Sequence, residues 1–235
     1  MIFKVIPADG SLGAGWCLQG EKGQLLASPK QKTLVLPTKA LAELVAAEWA
    51  DIKGMPKPGQ LQVTGYINSW TDHTTGHRDE VLAQYLRYLP TDTLRYHTDA
   101  TQDAALNAKQ QAHWQPVLQW WQQQTSVALP VITTLQVCAL HDDDAAKVKQ
   151  RLAHMDDLRL LCLAELAALY SSAVLAYAVL CDHLSTEQAL ALSILEETHQ
   201  IERWGKTEEY EEMANHKAGD IAVIASLLKS LGATD

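Results

Sequence analysis

Positive charge is scarce in this sequence: 19 Lys and Arg residues stand against 28 Asp and Glu, a formal net charge of -9. The basic residues form no run dense enough to track phosphates, so nucleic acid is not an expected partner. Long apolar runs are missing too. The longest uncharged stretch, Leu166 to Cys181, has 16 residues, short of the roughly 20 that a spanning helix needs, and it reads as part of a buried helix. The four cysteines, Cys17, Cys138, Cys162 and Cys181, contain no CxxC pair, and no secretory signal precedes them; they are expected as reduced thiols in a core. No GxxxxGK[ST] loop is present, and the N-terminal glycines do not form GxGxxG ahead of a helix, which leaves nucleotide binding without support. The opening Met-Ile-Phe-Lys-Val lacks the Arg- and Ser-rich character of a transit peptide. The chain is therefore expected to be bacterial, or organellar with its presequence removed.

What is present is enough apolar material, 47% over 235 residues, to bury a sizeable core. Five glycines between Gly10 and Gly23 separate short apolar pieces around Trp16-Cys17-Leu18, Leu25-Leu26 and Leu34-Val35-Leu36, a rhythm of strands and turns. Thr38 can cap a helix over about 38–52, whose Leu41, Leu44, Val45, Trp49 and Ile52 keep helical spacing. Leu61 to Ile67 reads as a strand. From about residue 76 the period is helical. The pattern predicts helices over 81–89, over 103–124 with an interruption near Pro116, and from Asp142 to about His154, where the acids suit the positive end of the dipole. One long apolar helix is predicted from about Asp156 to His183, then one from Ser185, with a Ser185/Gln188 capping box, to about Trp204, and a last one over about 207–230. The stretch from Thr125 to Leu140 stays open between extended chain and loop. The fold class is α+β: a small β-containing N-terminal domain, 1–70, followed by a larger helical domain, 71–235.

Catalytic sets are sparse. His73 and His77 are four apart, but no glutamate follows His73 as in HExxH and no third ligand is evident. Glu196 and His199 make a single ExxH where a di-iron bundle needs two. A helical metalloprotein using His73, His77, Glu196 and His199 remains an alternative, as does a general interaction adaptor. No cofactor, no metal and no enzyme activity is the expectation.

Two segments are more specific than these motifs: Leu34-Val-Leu-Pro-Thr-Lys-Ala-Leu-Ala-Glu-Leu-Val-Ala-Ala-Glu-Trp49 and Leu195-Glu-Glu-Thr-His-Gln-Ile-Glu-Arg-Trp-Gly205. Both resemble the α-subunit-specific F1-ATPase assembly chaperone family of mitochondria and α-proteobacteria. Asn68, Leu94-Arg-Tyr96, Trp114 to Trp120 and Ser172-Ala-Val-Leu-Ala176 fall between them in the family's order. The resemblance implies a non-enzymatic chaperone that holds the unassembled α subunit of ATP synthase F1 in a one-to-one complex, masks its β-facing surface, and gives way to β. It also points to the second segment as the contact element: Glu197 and Glu202 as acidic contacts, with Glu196, Gln200 and Trp204 beside them. Alternatively, Glu202 and Arg203 solvate a surface turn while Ile201 and Trp204 pack inward. Trp49, on the apolar face with Leu41 and Val45, is expected as a core anchor, and Gly205 as a left-handed helix cap.

Overall fold

The computed structural model describes residues 2–134, 136 and 138–232. It divides into two compact units. One runs up to Arg78 and takes back the chain from Val223 onward; the other is Asp79–Ala222. The sequence pattern put the division at 70/71, but residues 62–74 stay with the first unit: Glu48 of the next helix back caps their start, and Asp72 accepts from the Ser28 hydroxyl and the Lys30 N–H.

In the N-terminal unit, β1 (Lys4–Pro7) pairs antiparallel with β2 (Trp16–Gln19), with Val5 opposite Leu18 and Ile6 opposite Cys17. Bridges Trp16–Leu36, Gln19–Leu25 and Ala27–Thr33 carry the extended chain to α1 (Lys39–Ala50). The Thr38 side chain accepts from the Leu41 N–H at 3.1 Å, as its position before the apolar run predicts, and donates to the Ser230 carbonyl at 2.7 Å. Cys17, Leu18, Leu36, Leu41, Val45 and Ile67 form the sealed core, joined by Ile224 and Leu227 from the returning helix.

Residues 61–67 are not a strand. They open α2 (Gln62–Ser69), and the reason is a cap supplied from elsewhere in the chain. Leu61 makes no side-chain cap; instead the Glu48 carboxylate accepts from the Val63 and Thr64 N–H groups at 2.7 and 2.9 Å and from the Thr64 hydroxyl at 2.6 Å. A carboxylate on orphan N–H groups at a helix start is among the stronger local stabilisers. Glu48→Ala is expected to lower the stability of this unit by about 2 kcal/mol, read as a lower urea midpoint. An unchanged midpoint would mean water caps α2 equally well.

The second unit is helical: α3 (Arg78–Leu86), α4 (Ala104–Thr125), α5 (Asp142–Leu152), α6 (Asp157–Tyr170), α7 (Ala173–Leu180), α8 (Thr186–Ser193), α9 (Leu195–Trp204) and α10 (Glu208–Leu231), the last passing into the first unit beyond Ala222. Helix α4 continues past Pro116 without the expected interruption. The lost bond to Ala112 and the ring clash cost about 3 kcal/mol, which the burial of Trp114, Val117, Leu118 and Trp121 along one face offsets.

The expected helix 156–183 is two helices. Ser171 turns at φ 51° and Ser172 caps α7, accepting from Leu175 N–H at 3.0 Å. The Ser172 hydroxyl donates in turn to the buried Asp92 carboxylate, which also accepts from Val174 N–H at 3.0 Å and Leu94 N–H at 3.1 Å. All eight residues of α7 are buried. The expected 185–204 helix is likewise two: the Ser185/Gln188 capping box is present, but Ile194 (φ -115°, ψ 23°) separates α8 from α9. The stretch after Thr125 holds a single bridge, Tyr96 to Ile132, among its described residues; positions 135 and 137 lie outside the described residues. Two of the four thiols depart from expectation, because Cys138 and Cys181 are exposed while Cys17 and Cys162 are buried.

Candidate partner-binding helix

Helix α9 has two faces with opposite chemistry. Residues three, four and seven apart share a helical face, and α4 collects one such set. Glu196 accepts from the Gln110 side-chain amide. His199, buried, meets Asp103 Oδ2 through Nε2 at 3.1 Å. Arg203 Nη1 donates to the same oxygen at 2.8 Å, and Lys109 Nζ reaches Glu202 at 2.6 Å. Asp103 is the hub because it is also the N-cap of α4, its Oδ1 accepting from Ala105 and Leu106. The Leu106 N–H, then His199 and Arg203, hold its carboxyl below the usual range.

The other face is open. Glu197, Gln200, Ile201 and Trp204 follow the i, i+3, i+4, i+7 pattern, and with Gly205, Thr207 and Tyr210 they line a shallow pocket. Trp204 is 82% exposed, a rare state for the largest side chain. Met213, one turn beyond Tyr210 on α10, is 66% exposed.

The five residues expected as contacts are thus not one cluster. Glu197, Gln200 and Trp204 come together at the pocket. Glu196 points to α4, where burial, and secondly the charge of Glu197, push its carboxyl up against the pull of Gln110. Glu202 is exposed but paired, and Lys109 draws its carboxyl down. Trp204 does not pack inward. Gly205 ends α9 at positive φ (87°), yet its ψ of 169° lies outside the left-handed helical region; the Gly205 N–H still closes on Ile201 O at 2.9 Å. Trp49 is half-buried in the first unit, edge-on to Phe3 and donating to Thr64 Oγ1 at 3.0 Å. The four residues of the metalloprotein alternative do not converge in one unit: His73 and His77 belong to the first, Glu196 and His199 to the second. Among the described residues no group of three or more His, Cys, Asp or Glu side chains could hold a metal ion.

Sequence reading had no signal for Asp103, Lys109 and Gln110 as the partners of α9, since they lie about 90 residues earlier. Helical spacing puts Ile201 with Trp204 on one face, but Tyr210, on α10 beyond the Gly205 break, had no such signal.

Comparison with known proteins follows the same course. The model of the ATP12 chaperone protein family matches residues 22–122. The mitochondrial protein atp12 of Schizosaccharomyces pombe is 23% identical over 227 residues, covering 89% of this chain and 77% of that protein. The crystal structure of Atp12 from Paracoccus denitrificans superposes with a TM-score of 0.86 at 27% identity, covering 100% of this chain and 97% of that one. A solved Agrobacterium tumefaciens protein gives 0.89 at 27% identity, over 98% of this chain and 84% of the other.

Proposed function

We propose, from the chain's place in the ATP12 assembly chaperone family that these comparisons support, that it is a chaperone of ATP synthase assembly which holds the α subunit of F1 before α meets β. The observation that carries the contact site is the open face of α9, where a four-fifths-exposed tryptophan stands beside an exposed glutamate. An unassembled α subunit exposes the apolar area it would bury against β, and such patches self-associate. A complementary surface of moderate affinity suppresses that, and β displaces it by binding better. The chain does no chemistry in this reading; it masks a surface in a one-to-one complex and hands α over, in a mitochondrial matrix or a bacterial cytoplasm. No helix among the described residues is long and apolar enough to cross a membrane.

Affinity capture from a cell extract with the tagged full chain tests this. The ATP synthase α subunit is expected as the main recovered protein, and adding β is expected to release it. Gentle capture that recovers no α subunit would overturn the reading.

A further inference from the structure

We infer that the pocket on the open face of α9 receives an arginine or lysine side chain of the bound protein, its alkyl stem across Trp204 and Ile201 and its cation at Glu197. This rests on the chaperone reading for the identity of the partner, and on the pocket itself for the chemistry.

Three carboxylates of α9 differ in what they hold. Glu196 and Glu202 are taken by Gln110 and Lys109 of α4. Glu197 is exposed and lines the pocket, and no ion pair or hydrogen bond among the described residues engages it. The bases nearby are spent: Arg203 on Asp103, and Lys206 on Glu211 at 2.9 Å. Lys217 feels the charge of Glu197, yet it is half-buried and its ammonium lies 3.4 Å from Ser193 Oγ. Between Leu195 and Met213 the sequence has seven acidic and two basic residues, so the field at the pocket mouth favours a cation.

The occupant must also satisfy the apolar wall. A purely apolar group seated on Trp204, Ile201 and Tyr210 would strip water from Glu197 and give nothing back. A long basic side chain covers the indole with its methylenes and delivers charge to the carboxylate, and a guanidinium stacks on the ring besides. Gly205, at φ 87°, leaves the pocket end open: a Cβ there would meet nothing within 4 Å.

The test uses the full chain and two short synthetic peptides, identical except that arginine in one is citrulline, its neutral isostere, in the other. The indole N–H resonance of Trp204, assigned by its loss in Trp204→Phe, reports occupancy. The arginine peptide is expected to shift that resonance saturably and to bind about 10-fold more tightly than its twin; Glu197→Gln is expected to erase the difference. Equal binding of the two peptides, or a Trp204 signal that neither moves, overturns the inference. Capture of the α subunit by the wild-type chain is scored separately. If α is captured while the peptides do not discriminate, the chaperone reading stands and this pocket chemistry falls. If the peptides discriminate and α is not captured, the pocket chemistry stands and the partner is wrong.

Discussion

Asp92→Ala is expected to lower the melting temperature of the Asp79–Ala222 unit by about 10 °C. Asp92 is fully buried and sits where its own turn meets the α6–α7 break. It accepts from Leu94 N–H in the turn that follows it, and from Val174 N–H and the Ser172 hydroxyl at the α6–α7 break. Alanine would orphan those donors in a dry site, at roughly 1 to 3 kcal/mol each. The same carboxyl sets a pH dependence. Burial raises it from 3.8 to about 6, against the opposing pull of the Val174 N–H and the other donors. Between those values the folded chain holds a proton that the unfolded chain has released. Its contribution is therefore complete below pH 4 and is lost as pH rises through 6. Melting curves of the wild type against Asp92→Asn, whose amide does not titrate, check this: the wild type should lose ground to the variant from pH 4 to 6. A constant gap between them would show that Asp92 is ionised throughout.

Glu197→Lys is expected to cut α-subunit capture at least 100-fold while shifting the melting temperature by no more than about 2 °C. Reversing a charge at a complementary contact places like charges together, which costs several kcal/mol and so two or more powers of ten in affinity. Stability should barely respond, because Glu197 is exposed and its carboxylate makes no ion pair or hydrogen bond among the described residues, acting on Lys217 and Glu196 only through its field. Its neighbour gives the control. Glu196→Ala removes the acceptor of Gln110, so it should melt earlier yet capture α as the wild type does once folded. Capture assays paired with melting curves on both variants decide the matter. If Glu197→Lys captures α normally, the open face is not the contact; if it unfolds the chain, Glu197 is structural.

How far the sequence reached can be argued from its helix ends. Thr38 and the Ser185/Gln188 box were legible because the capping atoms lie within four residues of what they cap, and the Asp142 start because three acids crowd its first turn, although no side chain caps it. Helix α2 was not, because its cap is Glu48, and Val-Thr-Gly-Tyr-Ile by itself favours extended chain. The α6–α7 break escaped for the same reason: Ser171 and Ser172 in an unbroken apolar run look like tolerated polar positions until Asp92, 80 residues earlier, is seen to claim Ser172. At α9 the spacing of Glu197, Gln200, Ile201 and Trp204 was readable, but which glutamates are free was not. That choice is made by Asp103, Lys109 and Gln110, and nothing in the local pattern ranks Glu197 above Glu196 or Glu202.

Helix α10 passes out of one unit and gives its last turns to the other, where Ile224 and Leu227 fill the core and Ser230 receives the Thr38 hydroxyl. During synthesis this reverses the usual sequence of events, in which N-terminal domains fold first. The strands and α1 leave the ribosome early but must wait, with part of their apolar surface uncovered, until residues beyond 222 have emerged. A chain stalled or clipped before that point should keep a helical domain and carry an unfinished N-terminal one, a ready target for proteolysis.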